Sequence, residues 1–552
     1  GTEYDALYEA AVCRERADWI VGMNATRLFS CLYGSTLNVG RVMTPTLGMA
    51  VMREAEIMGF KPEPFFTAQL KTRDFVVTSE RFKEQTAAKS VMDSCLQSRC
   101  FEVVSVERKE KSEKAPSLYD LTSLQRDANR ILGFTAQQTL DYTQSLYEKK
   151  LVTYPRTDSR FLTNDMEPML PELVANVAAK FGAVSCLQNE DNHTQIHTKI
   201  VCDSQKVTDH HAIIPTRTCL SADFSEIPSG EMKVLNLIAA RLLAAVSDPH
   251  CYAETVVKLS CAGQEFSVKG KEIIADGWKA VDAFFHPKEK KNEDKEPKVL
   301  PPLEKGMTLP ILSGEIKEGK TQAPKRFTED VILSRMETAG ADDTPDEVER
   351  KGLGTPATRA GIIEKLVQKG FLERKGDKKT KYLVPTHRGN SLITVMPEMI
   401  QSPTMTADWE QKLLLIERGE YDPQVFMTEI TEMIEGLIRN YEVVKGANVL
   451  MSENKVIGKC PHCGAEVIER SKGWFCSNRE CRFALWKDNA YFSRLGKHMT
   501  GQLAEKLVRD GRAKLKDCKS QKTEKTYNAT VVMTTEADGR PQFSLEFDKG
   551  GK

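Results

Sequence analysis

Charge of one sign is missing from this chain: 78 Lys and Arg balance 78 Asp and Glu over 552 residues, for a formal net charge of zero. A uniformly basic coat for nucleic acid is thereby excluded, so contact with a polyanion has to rest on a local basic lining and on base stacking. Long apolar runs are missing too. The longest, Val234 to Val246, is broken by Asn236 and Arg241 and is too short to cross a bilayer, so no membrane partner is expected. No signal peptide is recognisable. No phosphate loop of the Gly-x4-Gly-Lys-Ser/Thr kind is recognised, and nucleotide chemistry is not expected. Clustered cysteines are few: of 14, ten are scattered singly, which favours reduced thiols and a cytoplasmic location. What remains is an ordinary globular composition, 40% hydrophobic and 28% charged, at a length that calls for several domains.

One short stretch carries chemistry. Leu151 to Arg160 reads LVTYPRTDSR. A phenol ionises only near pH 10, so a tyrosine that attacks phosphorus needs a cation beside it, and Arg156 stands two residues from Tyr154. A guanidinium can also hold a phosphate by paired hydrogen bonds, and Pro155 keeps Tyr154 out of helical backbone space. Together these suit a nucleophile that retains a phosphodiester end as phosphotyrosine. The same ten residues also fit a half-buried tyrosine next to a surface arginine. Farther on, Thr208 to Pro215 reads TDHHAIIP. No further cysteine or histidine pair lies nearby at ligand spacing, which argues against zinc there. An imidazole bonded to a phosphate oxygen and a loop histidine are both consistent with it.

The four grouped cysteines are Cys460 and Cys463, separated by two residues as a Cys-x2-Cys knuckle, then Cys476 and Cys481. Two sulfurs from each arm predict a structural zinc ribbon with tetrahedral thiolate coordination. His462 is read as a bystander. Of Trp474, Phe475, Phe483 and Trp486, most are expected to fill the ribbon's small core, with one or two left to stack on bases.

TYPRTDSR followed by DHHAIIPT resembles the catalytic domain of type IA DNA topoisomerases, most closely bacterial topoisomerase III. The likeness extends to Arg14–Glu56, with RADWIVGMNATRLFS and NVGRVMTPTLGMAVMREAE, to KGLGTPATRAGIIEKL from Lys351, and to SPTMTADWEQKLLLIERG from Ser402. Roughly four-fifths of the chain is covered in the family's order, far more specific than a single motif. The resemblance implies that Tyr154 becomes linked to a 5′-phosphate, that Arg156 grips the scissile phosphate and that His210 contacts it, with His211 beside it. It also implies that Arg27 and the segment Asn38, Val39, Gly40, Arg41, Val42 and Met43 contact a single strand of DNA.

The implied activity is ATP-independent strand passage by a monomer in the bacterial cytoplasm, relaxing or decatenating DNA. The family also needs an amino-terminal toprim domain whose glutamate and Asp-x-Asp pair hold Mg2+. That domain is not found in this sequence, so the chain is expected to be a piece of a longer protein that binds single strands but cleaves poorly without its own toprim domain as partner. The acidic run Ala341–Glu347 is no substitute. A tyrosine recombinase and a non-enzymatic single-strand-binding module are the rival readings.

The implied architecture is a multidomain α+β fold with a toroidal, arch-shaped core. Residues 1–58 and 326–445 form a helical strand-binding base, and 59–114 with 251–325 a β-rich arch. The tyrosine gate spans 115–250, the zinc ribbon 455–490 and an accessory repeat 491–552. Local signals support several elements. Thr135-Ala136-Gln137-Gln138 is a capping box opening a helix, and Leu121–Leu132 is a helix closed by Gly133. Thr500–Gly511 reads as a helix, and Asp538-Gly539 as a hairpin turn between strands 529–534 and 542–547. Lys288–Lys298 reads as a mixed-charge loop. Lys516, Lys519, Lys522 and Lys525 suit either phosphate contact or a soluble edge strand.

Overall fold

The computed structural model describes residues 4–188, 196–287, 299–339, 352–377, 379–444, 456–470, 472–478, 480–519 and 526–547. The acidic run Ala341–Glu347, the loop Lys288–Lys298, Lys351, Lys522 and Lys525 lie outside them. The chain divides into two compact units, residues 1–447 and 448–552. The five divisions expected up to residue 445 therefore fall inside one unit.

In the first unit, α1 (Asp5–Tyr33) buries Ala10, Cys13, Ala17, Val21 and Ala25 along one side and ends at Gly34 in the left-handed region. After α2 (Met43–Gly59), β1 (Pro64–Lys71) is flanked by β2 (Val76–Thr78) and, from far along the chain, β7 (Ser313–Lys320). Between β2 and the long β3 (Cys100–Glu113) the chain forms α3 (Gln85–Ser98), where only strands were expected. Ala88, Val91, Met92 and Cys95 recur at helical spacing, Ala88 buried and the other three in the arch core, and that periodicity wins over the strand-rich surroundings.

The tyrosine region opens with α4 (Leu121–Asp127), capped reciprocally by Asp120 and Ser123. A π-turn over Ala128–Leu132 ends it at Gly133. Helix α5 (Ala136–Glu148) begins with the expected Thr135/Gln138 box. Helices α6 (Leu170–Lys180), α7 (Arg217–Ser221) and α8 (Ser229–Ala245) follow. The apolar stretch flagged in the sequence is α8, which feeds two cores: Val234, Leu235 and Ile238 enter one with Tyr119 and Leu124, and Leu242 and Leu243 the other with Leu173 and Val177. Each such burial contributes about 1.5–3 kcal/mol. No helix among the described residues is long and apolar enough to cross a membrane.

The chain then returns through β4 (His250–Cys261), β5 (Gln264–Ala275), α9 (Trp278–Phe285) and β6 (Thr308–Pro310), giving a sheet in the order β5-β4-β3-β6. The expectation that no phosphate loop is present was wrong as a statement about pattern, because Gly314–Thr321 reads GEIKEGKT. The fold nonetheless makes it a strand. Its residues through Lys320 lie in β7, paired in register with β1 from Leu70↔Gly314 to Pro64↔Lys320, whereas a phosphate loop needs a strand, a turn and then a helix. Its glycines serve packing: a Cβ at Gly319 would stand 2.4 Å from the Phe65 ring, and one at Gly314 would stand 2.9 Å from Met92.

The base is completed by α10 (Glu329–Thr338), α11 (Pro356–Gln368), the hairpin β8 (Leu372–Gly376) and β9 (Lys381–Pro385), α12 (His387–Val395), α13 (Glu398–Gln401), α14 (Pro403–Glu417) and α15 (Pro423–Asn440). Helices α14 and α15 pack on α1, and α10 and α11 pack on α4, with α11 also against α5.

The second unit contains β10 (Val456–Lys459), β11 (Glu466–Arg470), β12 (Gly473–Cys476) and β13 (Ala484–Trp486) in sequential order. These are followed by α16 (Ala490–Arg494), α17 (Gly501–Asp510) and the sheet β14 (Arg512–Lys519), β15 (Thr526–Thr535), β16 (Pro541–Glu546). Thr500 caps α17 and Gly511 ends it, as the sequence suggests. The division expected at residue 490 does not separate two cores. Val467, Trp474 and Leu485 of the ribbon share one apolar cluster with Leu507, Ala513 and Val531 of the tail, because neither part has enough apolar surface to close a core alone.

Candidate active site and strand-binding cleft

Tyr154 sits on a loop held by backbone and hydroxyl bonds. After α5, Lys150 takes a left-handed conformation and turns the chain into an extended stretch, where Val152 bridges to Pro215. Thr153 donates its amide to the Ile214 carbonyl (3.0 Å) and its hydroxyl to the Ala212 carbonyl (3.0 Å), and its Oγ1 accepts the Ile214 amide (3.0 Å). Thr157 donates its hydroxyl to the His210 carbonyl at 2.6 Å. The two threonines on either side of the tyrosine thus stitch TYPRT to DHHAIIP over a separation of more than fifty residues. This carries the His210 ring to 4.3 Å from the Tyr154 ring, tilted by 45°. Tyr147 also packs edge-on with Tyr154, at 5.4 Å. Tyr154 is half-buried and Arg156 and His210 are exposed. His211 turns back, its Nδ1 lying 2.8 Å from the Ala212 carbonyl.

Arg156 and Asp158 reach the wall of a cleft of about 840 Å³. Across it stand Arg14, Asp18 and Arg41 from the first base segment, and Thr358, Arg359, Gly361 and Lys365 of α11 from the second. The α11 end is built from Gly352, Gly354 and a capping box in which Thr355 and Thr358 bond reciprocally. Gly352 is obligatory: at φ +64°, a Cβ would lie 2.3 Å from the Met336 carbonyl oxygen. Arg359 is buried and donates to the Leu353 carbonyl and the Thr122 hydroxyl. Burial pulls its pKa below the usual arginine range.

The tyrosine region and the base are joined by ion pairs, two of whose carboxylates, Asp120 and Glu337, line the cleft. Arg160 bonds Asp120 (2.7 Å) and Glu337 of α10 (2.9 Å), and Arg126 bonds Asp330 (2.8 Å). Burial works against the charge of Arg160, but Asp120 and Glu337 outweigh it and raise its pKa.

The predicted strand-contacting residues separate into two kinds. Arg27 is exposed on α1 with no polar partner among the described residues. Trp19, two turns earlier and 66% exposed, went unremarked in the sequence although it lies within the quoted RADWIVGMNATRLFS. The other segment is mostly structural. Val39 is buried, its amide bonded to the Thr26 hydroxyl (3.0 Å), and the Gly40 amide bonds the Thr44 hydroxyl (3.1 Å). Asn38 accepts from Lys369 (3.1 Å). Val42 lines the cleft and Met43 is half-buried at the start of α2.

Arg41 departs furthest from expectation. It is 7% exposed, with Nε 2.6 Å from Asp18 and Nη1 2.9 Å from Glu410, and its guanidinium lies over the Trp409 ring at 5.4 Å. Burial lowers its pKa, but Asp18 and Glu410 more than reverse this. Its donors are engaged in joining α1 to α14 and leave little for a phosphate.

In the second unit, the four sulfurs of Cys460, Cys463, Cys476 and Cys481 lie within 4.8 Å of one another. The Cys460–Cys481 and Cys463–Cys476 separations are 3.8 and 3.3 Å. Thiolates about 2.3 Å from a tetrahedral zinc stand about 3.8 Å apart, so the donor set and spacing fit that ion. The Ala465 amide beside Cys463 holds its thiol down to about 7. Trp474 and Phe483 are buried, whereas Trp486 is 45% exposed and meets Phe475 edge-on at 5.0 Å.

A family model described as DNA topoisomerase matches residues 2–428. DNA topoisomerase 3 of Bacillus licheniformis is 38% identical over 500 residues, and that of Bacillus subtilis strain 168 is 36% identical over 501. Each match spans 87% of this chain and 67% of the relative. Among solved structures, full-length topoisomerase I from Thermotoga maritima superposes with a TM-score of 0.61 at 22% identity, over 85% of this chain and 74% of that one, a likeness of fold. With a family match over most of its length and relatives of this identity, the chain belongs to the type IA DNA topoisomerases, close to topoisomerase III.

Proposed function

We propose that Tyr154 is the strand-cleaving nucleophile of this topoisomerase III-like chain. Its Oη attacks a backbone phosphorus, the P–O3′ bond breaks, and the 5′-phosphate remains as an ester on the tyrosine while the other end leaves as a 3′-hydroxyl. The phenol gives its proton to solvent and the departing 3′-oxygen takes one up, so the step balances without nucleotide or oxidant. Arg156 pairs with the phosphate oxygens and His210 donates to one of them. The ester conserves the energy needed for resealing, which the 3′-hydroxyl carries out by reversing the attack after a second strand has passed, so that DNA is relaxed or decatenated. Arg27, together with Trp19 as a stacking surface, extends the single-strand track beyond the cleft. The observation that supports this reading is the Tyr154–His210 ring contact of 4.3 Å on a doubly stitched loop.

Zinc is proposed at the four cysteines, where it supplies a structural cross-link between the two arms of the ribbon. Magnesium, implied by the family, does not fit here. Among the described residues the one cluster able to hold a metal is the set of four thiolates, and magnesium takes oxygen ligands. The toprim domain of the whole enzyme is proposed to hold it, and this chain alone to bind single-stranded DNA without turning over. The protein is proposed to act as a cytoplasmic monomer.

A suicide oligonucleotide carrying a label on its 5′-phosphate side tests both points. With a toprim segment and Mg2+ supplied, the wild-type chain should form a covalent adduct on a denaturing gel, and Tyr154→Phe should not while still binding the strand. An adduct in Tyr154→Phe would move the nucleophile elsewhere. Binding without an adduct under every condition favours a single-strand-binding module.

A further inference from the structure

The knuckle histidine and the tail hairpin, which the strand-cleavage chemistry does not use, meet at the four-cysteine cluster. The turn joining β15 to β16 contains Gly539 at φ +88°. A Cβ there would stand 3.1 Å from the Cys481 sulfur and 3.0 Å from a His462 ring carbon, so the turn lies directly against one ligand sulfur and the side chain between Cys460 and Cys463. The residue after Cys481 is tied to the same turn: the Arg482 amide reaches the Asp538 carbonyl at 3.4 Å, and its guanidinium lies 3.5 Å from the Asp538 carboxylate. The turn is itself closed by the Gly539 amide on the Glu536 carbonyl and the Glu536 amide on the Arg540 carbonyl, both at 2.9 Å. Beneath it, ribbon and tail share one apolar core.

We propose that the Asp538–Arg540 turn is an outer wall of the metal site, clamping His462 and Cys481, so that metal loading and closure of the tail hairpin are one event. The inference rests on the reading that the four cysteines hold a metal. A free thiol can swing away from an intruding carbon, but a coordinated one cannot, because its position is set by the ion. Glycine at 539 therefore serves two ends: it accepts the left-handed backbone, and it leaves room for a sulfur that metal holds in place. Conversely, when the ion leaves, Cys481 loses its fixed position and the turn loses the surface it rests on. Metal affinity and tail order then rise and fall together, as expected where binding energy is folding energy.

The test uses the full chain loaded with zinc, its stoichiometry read by native mass spectrometry and its release followed with a chromogenic chelator. Gly539→Ala should release zinc about tenfold faster than wild type, the range seen when a partner outside the ligand set is disturbed. Gly511→Ala is the strain control. Its backbone is equally left-handed, at φ +65°, but its nearest neighbour is the Met533 carbonyl oxygen at 3.8 Å, and its release rate should match wild type. His462→Ala adds no backbone strain and should move the rate in the same direction as Gly539→Ala. In limited proteolysis the hairpin should be protected with zinc and cut without it. Equal rates for the two glycine variants, or a hairpin that stays protected after zinc is stripped, would overturn the clamp. A wild-type chain that takes up no zinc would sink the metal assignment itself, and the clamp with it.

Discussion

Two arginines that the family resemblance treats alike, Arg41 and Arg27, should fail in opposite ways when replaced. Arg41 is buried between Asp18 and Glu410, whereas Arg27 is exposed and unpaired among the described residues. Breaking a buried ion pair by removing one partner typically costs about 3–5 kcal/mol. Two features discount that here. Asp18 is 43% exposed and regains water, and Glu410 keeps Arg14 at 2.7 Å. The expected cost of Arg41→Met is therefore about 1–3 kcal/mol, a fall of roughly 1–3 °C in the midpoint of a unit this large. Strand affinity should drop only as far as the folded fraction does, with an unchanged dependence on salt. Arg27→Ala should leave the midpoint in place and reduce the slope of log K against log salt by about 0.7, the loss of one phosphate contact on single-stranded DNA. Circular dichroism melts and fluorescence anisotropy on a labelled oligothymidine, from low to moderate salt, measure both. A stable Arg41→Met with a shallower salt slope would show that Arg41 is a phosphate ligand, and the reasoning from burial would be refuted.

Other consequences can be measured independently. Lys320→Ala should change nothing in ATP binding by equilibrium dialysis, because wild type should bind none: its GEIKEGKT is a paired strand, and saturable ATP binding lost in the variant would contradict that. Glu337→Gln should weaken the tether between α10 and the tyrosine region by about 0.2–1 kcal/mol, since its pair with Arg160 is partly exposed. A donor–acceptor dye pair across the cleft should report a larger open fraction, and the wild-type signal should approach the variant's at high salt. Burial would raise the Asp127 carboxyl, but Arg241, Arg130 and the Tyr119 hydroxyl outweigh it and hold it below the usual carboxylate range. A depressed carboxyl stabilises the fold above the unfolded value near pH 4, and that contribution is lost as pH falls through the folded value. Asp127→Asn should thus lower stability at pH 7 and flatten the acid limb of a denaturation series, and an unchanged acid limb would contradict the assignment.

Signals that act between neighbours in sequence were legible directly. Thr135 and Gln138 cap α5, Thr500 and Gly511 bracket α17, and the cysteine spacing gathers four sulfurs. The helix caps join partners a few residues apart and form whatever the rest of the fold does, and the two cysteine arms, 13 to 21 positions apart, meet through the local pairing of the ribbon's own strands. The tyrosine and histidine motifs could be recognised as patterns, but nothing in either one contains the Thr153 and Thr157 bonds that bring the two rings together.

Sequence alone therefore determined the chemical inventory: a tyrosine beside an arginine, a histidine pair, a four-thiol set, and neutral overall charge. Tertiary structure decided which of these groups are available. Arg41 meets Glu410 across 369 positions and becomes a strut, while GEIKEGKT finds β1 and becomes a strand. The ribbon and tail, each short of apolar surface, close a single core. Burial and pairing depend on which distant segments the chain brings together, and no local pattern encodes the electrostatic or packing environment those segments create.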